Sequence, residues 1–466
     1  MFGALGGCAS LAQDQGIGPI NAVASATFGQ EVIKIRSPGD VALIRSRVAS
    51  LLANPLTAEA AVRIAILNNR GLQASLDELG VSEAQLSASV LPPSPTLGYA
   101  ALTGVGAIGI DRQIAVDVLA ILTLPSRKDI AETQFKAAQL KATSDLLRIA
   151  RETERAYIRT VASSETVNFL STARASAEVT AELAKKLGET GALNRLDQAR
   201  EHALYAELSA QLAAARLAQG AEREAFTRLL GLWGNDIKYR LPALLKALPA
   251  RPQTNDSVER EAVLHRVDLA MQRVEVEAQA KLLGLTEAAR FVDVLEVSAR
   301  GARQDELLNV NGNSISDNLR TRGYDIQFKI PIFDLNETRI RSEREAYMQR
   351  VNRLIEKAVQ VRSEARVAYV GYRGRYDIAH YYRDRVAPLH RIIADEGMLH
   401  YNGMLLDLFQ LLADTRANVT STIAGINALR DFWLANVDFK AALLGGSSIG
   451  GRSPTTVPDI AGNVTD

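Results

Sequence analysis

Two unusually long segments without strong helix breakers limit what this chain can fold into. They run from Lys128 to Leu187 and from Arg339 to Gly397, and Pro388 is the only proline in either. At 1.5 Å per residue each would form a helix roughly 90 Å long, far beyond the helices of globular proteins. Helices of this length are typical of coiled coils, so the sequence predicts long antiparallel helical hairpins.

A turn and a shorter returning helix follow each long segment. In the second returning helix, apolar residues recur at helical spacing and predict the buried seam of a hairpin: Leu405, Leu408, Leu412, Val419, Ile423 and Ile426. In the first returning helix, small side chains would let neighbouring helices approach closely: Ala203, Ala206, Ala210, Ala213, Ala214 and Ala215.

A strand pattern interrupts the helical sequence. In RGYDIQFKIPIF, from Arg322 to Phe333, one strand face would hold Tyr324, Ile326, Phe328 and Ile330, and the other would hold Asp325, Gln327 and Lys329. The sequence predicts four strands: Thr96 to Val105, Ile114 to Pro125, Val292 to Arg300, and Tyr324 to Pro331. The second strand would have one continuous apolar face: Ile114, Val116, Val118, Ala120, Leu122 and Leu124. The segment between the last two strands, including Asn309 to Ser314, is expected to be an exposed loop.

The chain carries an internal two-fold repeat. Ala65 to Leu72 aligns without gaps with Ala262 to Leu269, and the same order of helices, strands and turns follows each segment. We therefore predict a first repeat over 51–250, a polar linker at 251–257 and a second repeat over 258–445. Residues 9–50 would form an N-terminal extension, and the Gly-, Ser- and Thr-rich tail, 446–466, would be disordered.

Composition excludes several classes of function. With 54 lysine and arginine residues against 53 aspartate and glutamate residues, the net charge is +1, which argues against nucleic-acid binding. No apolar run is long enough for a membrane-spanning helix, so a membrane role would need strands or a lipid. No phosphate-binding loop or catalytic triad is present, and His380, His390 and His400 do not share a helix face. We therefore expect no enzymatic activity, cofactor or metal site.

The single cysteine, Cys8, follows Leu5-Gly6-Gly7, which resembles the lipobox of bacterial lipoproteins. Residues 1–8 would be a truncated lipoprotein signal, since the apolar stretch is short and no Lys or Arg precedes it. Either translation starts further upstream and Cys8 receives the lipid, or Cys8 is an ordinary thiol.

The chain resembles the TolC-like outer-membrane factor family over about residues 40–445. The resemblance rests on the order of several short segments, which recur across the two halves: Asn54-Pro55-Leu56-Thr57, Ala61 to Ala65, Asn68-Asn69, Ile330 to Asp334, Gly191 to Asp197, and Tyr401 to Leu405.

This resemblance implies a mainly α protein with a small β part. Long helical hairpins would form a trimeric α-barrel in the periplasm, continuous with a 12-stranded transmembrane β-barrel to which each protomer contributes four strands. Such a homotrimer is a passive exit channel of the Gram-negative outer membrane, serving efflux or type I secretion together with a periplasmic adaptor and an inner-membrane pump. Tyr324, Ile326, Phe328 and Ile330 would then face lipid, and Cys8 would carry a palmitate-type anchor.

The resemblance also places functional residues at the helix ends. In relatives, acidic residues six and nine positions after the second turn glycine narrow the periplasmic aperture, but Phe409 and Leu412 occupy those positions here. Asp197, six after Gly191, is one aperture candidate.

A second acidic set is expected on one side of the returning helix: Gly403, Asp407, Gln410 and Asp414. Three copies of such a carboxylate would ring a pore, although charged stripes are more often solvated surface.

The turns would dock the adaptor through Gly191, Ala192, Leu193, Gly403, Met404 and Leu405. The alternative is that each glycine only ends a helix in the left-handed conformation.

The main rival hypothesis is a lipid-anchored periplasmic coiled-coil adaptor or scaffold that does not span the membrane. Long hairpins suit both functions. An adaptor's strands would have hydrophilic outer faces, whereas here the second strand of each half has an unbroken apolar face.

Overall fold

The computed structural model describes residues 16–104, 107–310, 313–403 and 405–445. Over these residues the chain is mainly helical with one antiparallel sheet. The helices are α1 Gly18–Phe28, α2 Pro38–Leu52, α3 Ala58–Asn68, α4 Arg70–Val90, α5 Val118–Leu122, α6 Leu124–Glu189, α7 Arg195–Leu230, α8 Val258–His265, α9 Val267–Ala288, α10 Glu337–Tyr381, α11 Ala387–Asn402 and α12 Leu408–Leu444. The strands are β1 Thr96–Gly104, β2 Ala107–Asp117, β3 Val294–Val310 and β4 Asn313–Lys329.

The long helices are confirmed, with one correction. Helix α6 runs unbroken for 66 residues. The second long segment is not a single α-helix, because a π-helical turn at Tyr382–Val386 separates α10 from α11. Pro388 lies in the first turn of α11. Proline has no N–H to donate to the preceding turn, so the regular helical ladder cannot continue through it.

The four strands form one sheet in the order β1-β2-β3-β4, and every neighbouring pair is antiparallel. The predicted strand from Ile114 to Pro125 is wrong beyond Asp117. There the carboxylate Oδ1 accepts a hydrogen bond of 2.9 Å from the N–H of Ala120 and begins α5. This cap satisfies a backbone donor locally, so the apolar alternation does not continue as a strand.

The predicted loop between the last two strands is also wrong. β3 and β4 remain paired through this segment, with Gly301 opposite Arg322 and Val310 opposite Asn313. Both faces of this outer part carry polar residues, so the sequence lacks the alternation that marks a half-buried strand. Backbone pairing forms the ladder there without an alternating apolar face.

The chain divides into two compact units, and each contains segments of both predicted repeats. The first unit consists mainly of Asp77–Leu140 and Leu269–Lys357, and it contains the whole sheet. The second consists of Gly18–Leu76, Lys141–Asp268 and the described residues from Ala358 onward, and it contains the helix ends of both hairpins.

Leucine side chains of α6, α7 and α12 form one core cluster of the second unit. Its buried members are Val167, Leu170, Ala177, Leu204, Leu208, Leu212, Leu408, Leu411, Leu412 and Val419. The predicted seam of α12 is confirmed at Leu408, Leu412, Val419 and Ile426, which are buried, and Ile423 packs against the cluster. The prediction is wrong for Leu405, which precedes the helix and is 77% exposed.

The seam of α7 is made by leucines rather than by the small residues. Leu204, Leu208 and Leu212 are buried, whereas most of the alanine face points away from the core of the single chain. Ala203, Ala206, Ala210, Ala213 and Ala214 are exposed, and Ala215 is half-buried. Close helix approach therefore does not occur across this face within one chain.

The two aligned segments of the repeat share a helix break. Helix α3 ends at Asn69 with φ −70° and ψ 118°, and α8 ends at Arg266 with φ −68° and ψ 122°. In both, the break is followed at once by the next helix, α4 or α9. The sequence alignment thus pairs residues of the same backbone conformation.

Several predictions lie outside the described residues: the lipoprotein signal over 1–8 with lipid attachment at Cys8, the adaptor contact of Met404, and disorder of the tail 446–466. The N-terminal extension, the first predicted strand and the predicted loop lie outside them in part, at 9–15, 105 and 311–312. Within the described part of the chain, none of the helices combines the length and apolar character needed to cross a bilayer.

Candidate functional site

The sheet has one apolar and one polar face along its helix-proximal half. Strand register places Leu97, Ile114, Ala299 and Tyr324 side by side in one row across the four strands. The next rows toward the helices hold Val116, Val297 and Ile326, then Leu295 and Phe328. We call these three rows the apolar face.

Most side chains of the apolar face have little protein cover in the single chain, although Val116 and Leu295 are half-buried. Tyr324 is 84% exposed, and Ile326, Phe328 and Ile330 are all exposed to about half or more. The strand register confirms the predicted alternation at Tyr324, Ile326 and Phe328, whereas β4 ends at Lys329, before Ile330. Such a face needs an apolar environment outside the chain, since contiguous exposed apolar surface marks a contact site.

The opposite face is polar. Its rows include Ser298 opposite Asp325 and Glu296 opposite Gln327. Arg300 Nη2 donates to Gln113 Oε1 at 3.4 Å on the neighbouring strand. One side of the sheet is thus suited to apolar surroundings and the other to water.

The second candidate region is the pair of turns that join the long helices. In the first turn, Gly191 has φ +75°, and Ala192 and Leu193 donate their N–H groups to the carbonyl of Leu187 at 2.9 and 3.2 Å. Asn194 then caps α7, accepting from the N–H of Asp197 at 2.8 Å. Gly191 is therefore a helix-ending glycine in the left-handed conformation.

The second turn has a different geometry. Gly403 ends α11 with φ −81°, so the expectation of a left-handed glycine is wrong there. Leu405 N–H donates to the carbonyl of His400 at 2.8 Å, and Asp407 caps α12 through its Oδ1, 2.8 Å from the N–H of Gln410. Any residue can adopt the conformation of Gly403.

The aperture candidates do not form one acidic helix face. Asp407 precedes α12, and its carboxylate is engaged as the cap, so only Gln410 and Asp414 share a side of that helix. Gln410 Nε2 donates to Asp414 Oδ1 at 3.0 Å. The prediction that Gly403 and Asp407 share their helical face is wrong, because the chain is not yet helical at those residues.

Asp197, the remaining aperture candidate, is neutralised within its own turn. Its carboxylate accepts from Asn194 Nδ2 at 2.7 Å and pairs with Arg200 Nη1 at 3.0 Å. The Arg200 guanidinium lies 5.3 Å from the ring centre of Phe409. This chain of contacts connects the first turn of α7 to the first turn of α12.

Sequence reasoning missed two exposed apolar residues at these helix ends. Leu196 is 61% exposed and Phe409 is 59% exposed, and each lies two residues after the cap of its helix. The signal that could have found them is a large apolar residue in the first turn, just after a capping Asn or Asp. Ala192 and Leu405 in the two turns are exposed as well, and we call these four residues with the turns that carry them the tip surface.

A buried carboxylate lies close behind the tip surface. Glu201 on α7 is buried, and burial raises its pKa more than the hydrogen bond from Thr180 and the nearby charges of His202 and Arg416 lower it. Arg416 itself is bound by Glu207, with Nε 3.0 Å from Oε2. Protonation near the helix ends is therefore coupled to the packing of α6, α7 and α12.

No cluster of potential metal ligands occurs among the described residues. The geometry thus offers two contact surfaces, the apolar face of the sheet and the tip surface of the hairpins.

Several solved membrane proteins have the same fold. A membrane protein from Pseudomonas aeruginosa is 17% identical with a TM-score of 0.69, covering 85% of this chain and 92% of that one. VceC from Vibrio cholerae is 16% identical with a TM-score of 0.67 over 83% and 96% of the two chains. The CmeC outer-membrane channel of Campylobacter jejuni is 16% identical with a TM-score of 0.68 over 91% and 92%.

No protein-family model and no curated protein sequence matches this chain. The chain has the fold of TolC-like outer-membrane factors, as the resemblance of its sequence indicated.

Proposed function

We propose that this chain is an outer-membrane exit channel, a passive conduit of a tripartite efflux or type I secretion system. The observation that carries the proposal is the apolar face of the sheet, which is exposed across neighbouring strands and attached directly to helices of exceptional length. The structural neighbours, among them the outer-membrane channel CmeC, support the same reading.

The sheet requires other copies of the chain if it enters a membrane. In the described residues, β1 and β4 are the outer strands and each pairs on one side only. Unpaired backbone groups cannot face hydrocarbon, and four strands are too few to close a barrel. Three chains supplying twelve strands would close the barrel that the resemblance implies.

Helix α10 offers a surface for this self-association. Val359, Val367, Val370, Ile378 and Tyr381 are all exposed to half or more, and they are spaced by eight, three, eight and three residues. This eleven-residue repeat averages 3.67 residues per turn, close to the helix itself, so the stripe runs nearly parallel to the axis. A straight apolar stripe of this kind suits packing against a long helix of another copy.

The tip surface is the proposed contact for a periplasmic adaptor, which would link the channel to an inner-membrane pump. Gly191, Ala192 and Leu193 would contribute from the first turn, and Gly403, Met404 and Leu405 from the second. We propose that Gln410 and Asp414 narrow the aperture, with Asp197 and Asp407 shaping the turns that carry them.

Cys8 is the proposed lipid attachment site. The residue after it is Ala9 rather than aspartate, which is compatible with sorting to the outer membrane. One acyl chain is a weak membrane hold by itself, so it would assist rather than replace insertion of the sheet.

The alternative function is a lipid-anchored periplasmic adaptor or scaffold. The long hairpins would serve an adaptor equally well. The channel and the adaptor differ in whether the apolar face enters the membrane. The sheet of an adaptor would stay in water, where the exposed side chains of Ile326 and Phe328 would be unfavourable.

An experiment without the lipid separates the two functions. The chain is expressed behind a complete cleavable signal peptide with Cys8→Ala, and the outer-membrane fraction is washed with alkaline carbonate. We expect the protein to stay in the membrane. Release as a folded soluble protein would mean that the lipid is the only anchor and would favour the adaptor.

Matched variants in the Cys8→Ala background test whether the apolar face is responsible. Ile326→Lys places a charge on it, which costs about 2–4 kcal/mol at the centre of a bilayer. Gln327→Lys adds the same charge to the polar face of the same strand. We expect the first variant to lower the inserted fraction and the second to leave it unchanged; equal effects would contradict the assignment of faces.

A further inference from the structure

An arginine cluster lies on the sheet where the apolar face ends. Directly beyond the row of Ile114 and Tyr324, the next row contains Arg112 and Arg322, with Gly301 between them on β3. The row after that contains Arg303 directly opposite Arg320. Three strands therefore bring four guanidinium groups to the same side of the sheet as the apolar face.

Neighbouring side chains of the described part neutralise this cluster only in part. Arg303 pairs with Asp305 at 3.1 Å and donates to Asn318 Oδ1 at 3.1 Å. Among the described side chains, no carboxylate pairs with Arg112, Arg320 or Arg322. Like charges directly opposite one another destabilise a sheet, so four arginines beside a single aspartate favour a bound anion.

The order of residues along the strands indicates where that anion comes from. Three apolar rows come first, and the last of them ends in the exposed Tyr324 on β4. The first arginine row follows, in which the exposed Tyr99 lies directly opposite Arg112. Aromatic residues prefer the boundary between hydrocarbon and headgroups. The arginines therefore lie at the depth of the headgroups when the apolar face lies in the hydrocarbon.

We infer that Arg112, Arg303, Arg320 and Arg322 form a binding site for the phosphate groups of lipids packed against the apolar face. Guanidinium groups bind phosphate oxygens in a bidentate manner, and Gly301 leaves room for a headgroup between Arg112 and Arg322. The site takes lipids with an exposed phosphate monoester in preference to zwitterionic lipids.

This inference rests on the proposed function for its location. β4 leads from Arg320 through Lys329 toward α10, so the arginines lie on the side of the apolar face away from the long helices. With those helices in the periplasm, the lipids concerned belong to the outer leaflet.

Binding is measured on the full chain purified in detergent, with fluorescent phosphatidic acid as the probe and phosphatidylcholine as the reference lipid. We expect the wild type to prefer phosphatidic acid by about tenfold or more, since one charge-assisted hydrogen bond accounts for roughly that factor. Arg112→Gln, Arg320→Gln and Arg322→Gln together should abolish the preference. The double variant Arg320→Gln with Arg322→Gln should reduce the preference for phosphatidic acid. This double variant provides the test if the triple variant does not fold.

The control variant changes charge on the opposite face. Arg300→Gln with Lys329→Gln should leave the preference intact, because both residues occupy the polar face. The inference is overturned if wild type and the triple variant show equal preference, or if the control variant loses it. Displacement of the probe by an equal concentration of inorganic phosphate would overturn the lipid assignment, since it would indicate a site for small anions.

The test of lipid binding is independent of the test of the proposed channel function. Headgroup preference is read in detergent, whereas membrane insertion is read by the carbonate wash. A wild type that inserts but shows no preference contradicts this inference alone. A wild type that fails to insert contradicts the channel, whatever its lipid preference in detergent.

Discussion

Arg266 allows a quantitative test of what stabilises the helix break between α8 and α9. Its side chain is almost completely buried, and it contacts two carboxylates. Arg266 Nε and Nη2 donate to Asp268 at 2.9 and 2.6 Å, and Nη1 donates to Glu364 Oε2 on α10 at 2.5 Å. Burial lowers the pKa of Arg266, but these contacts raise it by more, so the guanidinium stays charged.

Replacing the arginine alone removes the guanidinium that the half-buried carboxylates of Asp268 and Glu364 share. Breaking a buried pair in this way costs about 3–5 kcal/mol. The side chains of Asp268 and Glu364 retain 18% and 11% of their exposure. Water can therefore reach them in part, and we expect Arg266→Met to lower the free energy of unfolding by about 3 kcal/mol, at the lower end of that range.

Replacing all three charged groups should recover most of the lost free energy of unfolding. Arg266→Met with Asp268→Leu and Glu364→Met removes the guanidinium together with both carboxylates that it binds, and apolar replacements of buried ion pairs are often neutral. The expected difference from wild type is within about 1 kcal/mol.

Both variants are compared by urea unfolding in one detergent, followed by circular dichroism. Equal destabilisation of the single and triple variants would refute the electrostatic reasoning and assign the effect to lost packing of the arginine stem. An Arg266→Met variant as stable as wild type would refute it as well.

Three further predictions concern the turns and helix ends. Gly191→Ala should lower the thermal midpoint of unfolding, since a left-handed φ of +75° costs an alanine about 1–2 kcal/mol. Gly403→Ala, at φ −81°, should leave the midpoint unchanged. Equal shifts in the two variants would contradict the prediction. Burial raises the pKa of Glu201, so the folded state favours the protonated carboxyl. The corresponding contribution to stability is present at low pH and is lost as the pH rises through the folded-state pKa. Glu201→Gln should therefore exceed wild type in thermal midpoint at neutral pH and match it below the ordinary pKa; parallel pH curves would refute the assignment. Asp117→Ala should cost about 1 kcal/mol by removing the cap of α5, and hydrogen exchange at the Ala120 amide should accelerate. An unchanged exchange rate would contradict the role of the cap.

Long-period features of the fold could be predicted from the sequence. The helix seam at Leu408, Leu412 and Val419 repeats at regular spacing, and the face of Tyr324 and Ile326 alternates strictly, so each signal accumulates over many residues. The resemblance, which depends on the order of such elements, predicted the fold correctly.

Local side-chain contacts explain where the prediction failed. A single carboxylate, that of Asp117, ends β2 although the apolar alternation continues beyond it. The cap at Asp407 likewise excludes Gly403 and Leu405 from α12, which removes the predicted acidic face and exposes a predicted core leucine. Periodicity cannot reveal such events, because one hydrogen bond between a side chain and the backbone decides them.

Asn69 and Arg266, which the sequence alignment pairs, differ in side-chain chemistry although their backbone conformations agree. Both residues adopt the same extended conformation at a break between two helices, where carbonyl groups lose their helical partners. Asn69 stabilises its break with neutral hydrogen bonds, to the carbonyl of Leu229 at 2.8 Å and from the N–H of Leu72 at 3.1 Å. Arg266 does so with a buried charge network instead.

The backbone requires only that the break be stabilised, and it accepts either chemistry. The two solutions should therefore respond differently to salt. Added salt screens charges, so the loss caused by Arg266→Met should change with ionic strength, although weakly because the site is buried. The loss caused by Asn69→Ala, about 1–3 kcal/mol from unsatisfied polar groups, should not change at all. Equal salt dependence of the two variants would mean that the arginine acts through packing and hydrogen bonds rather than through its charge.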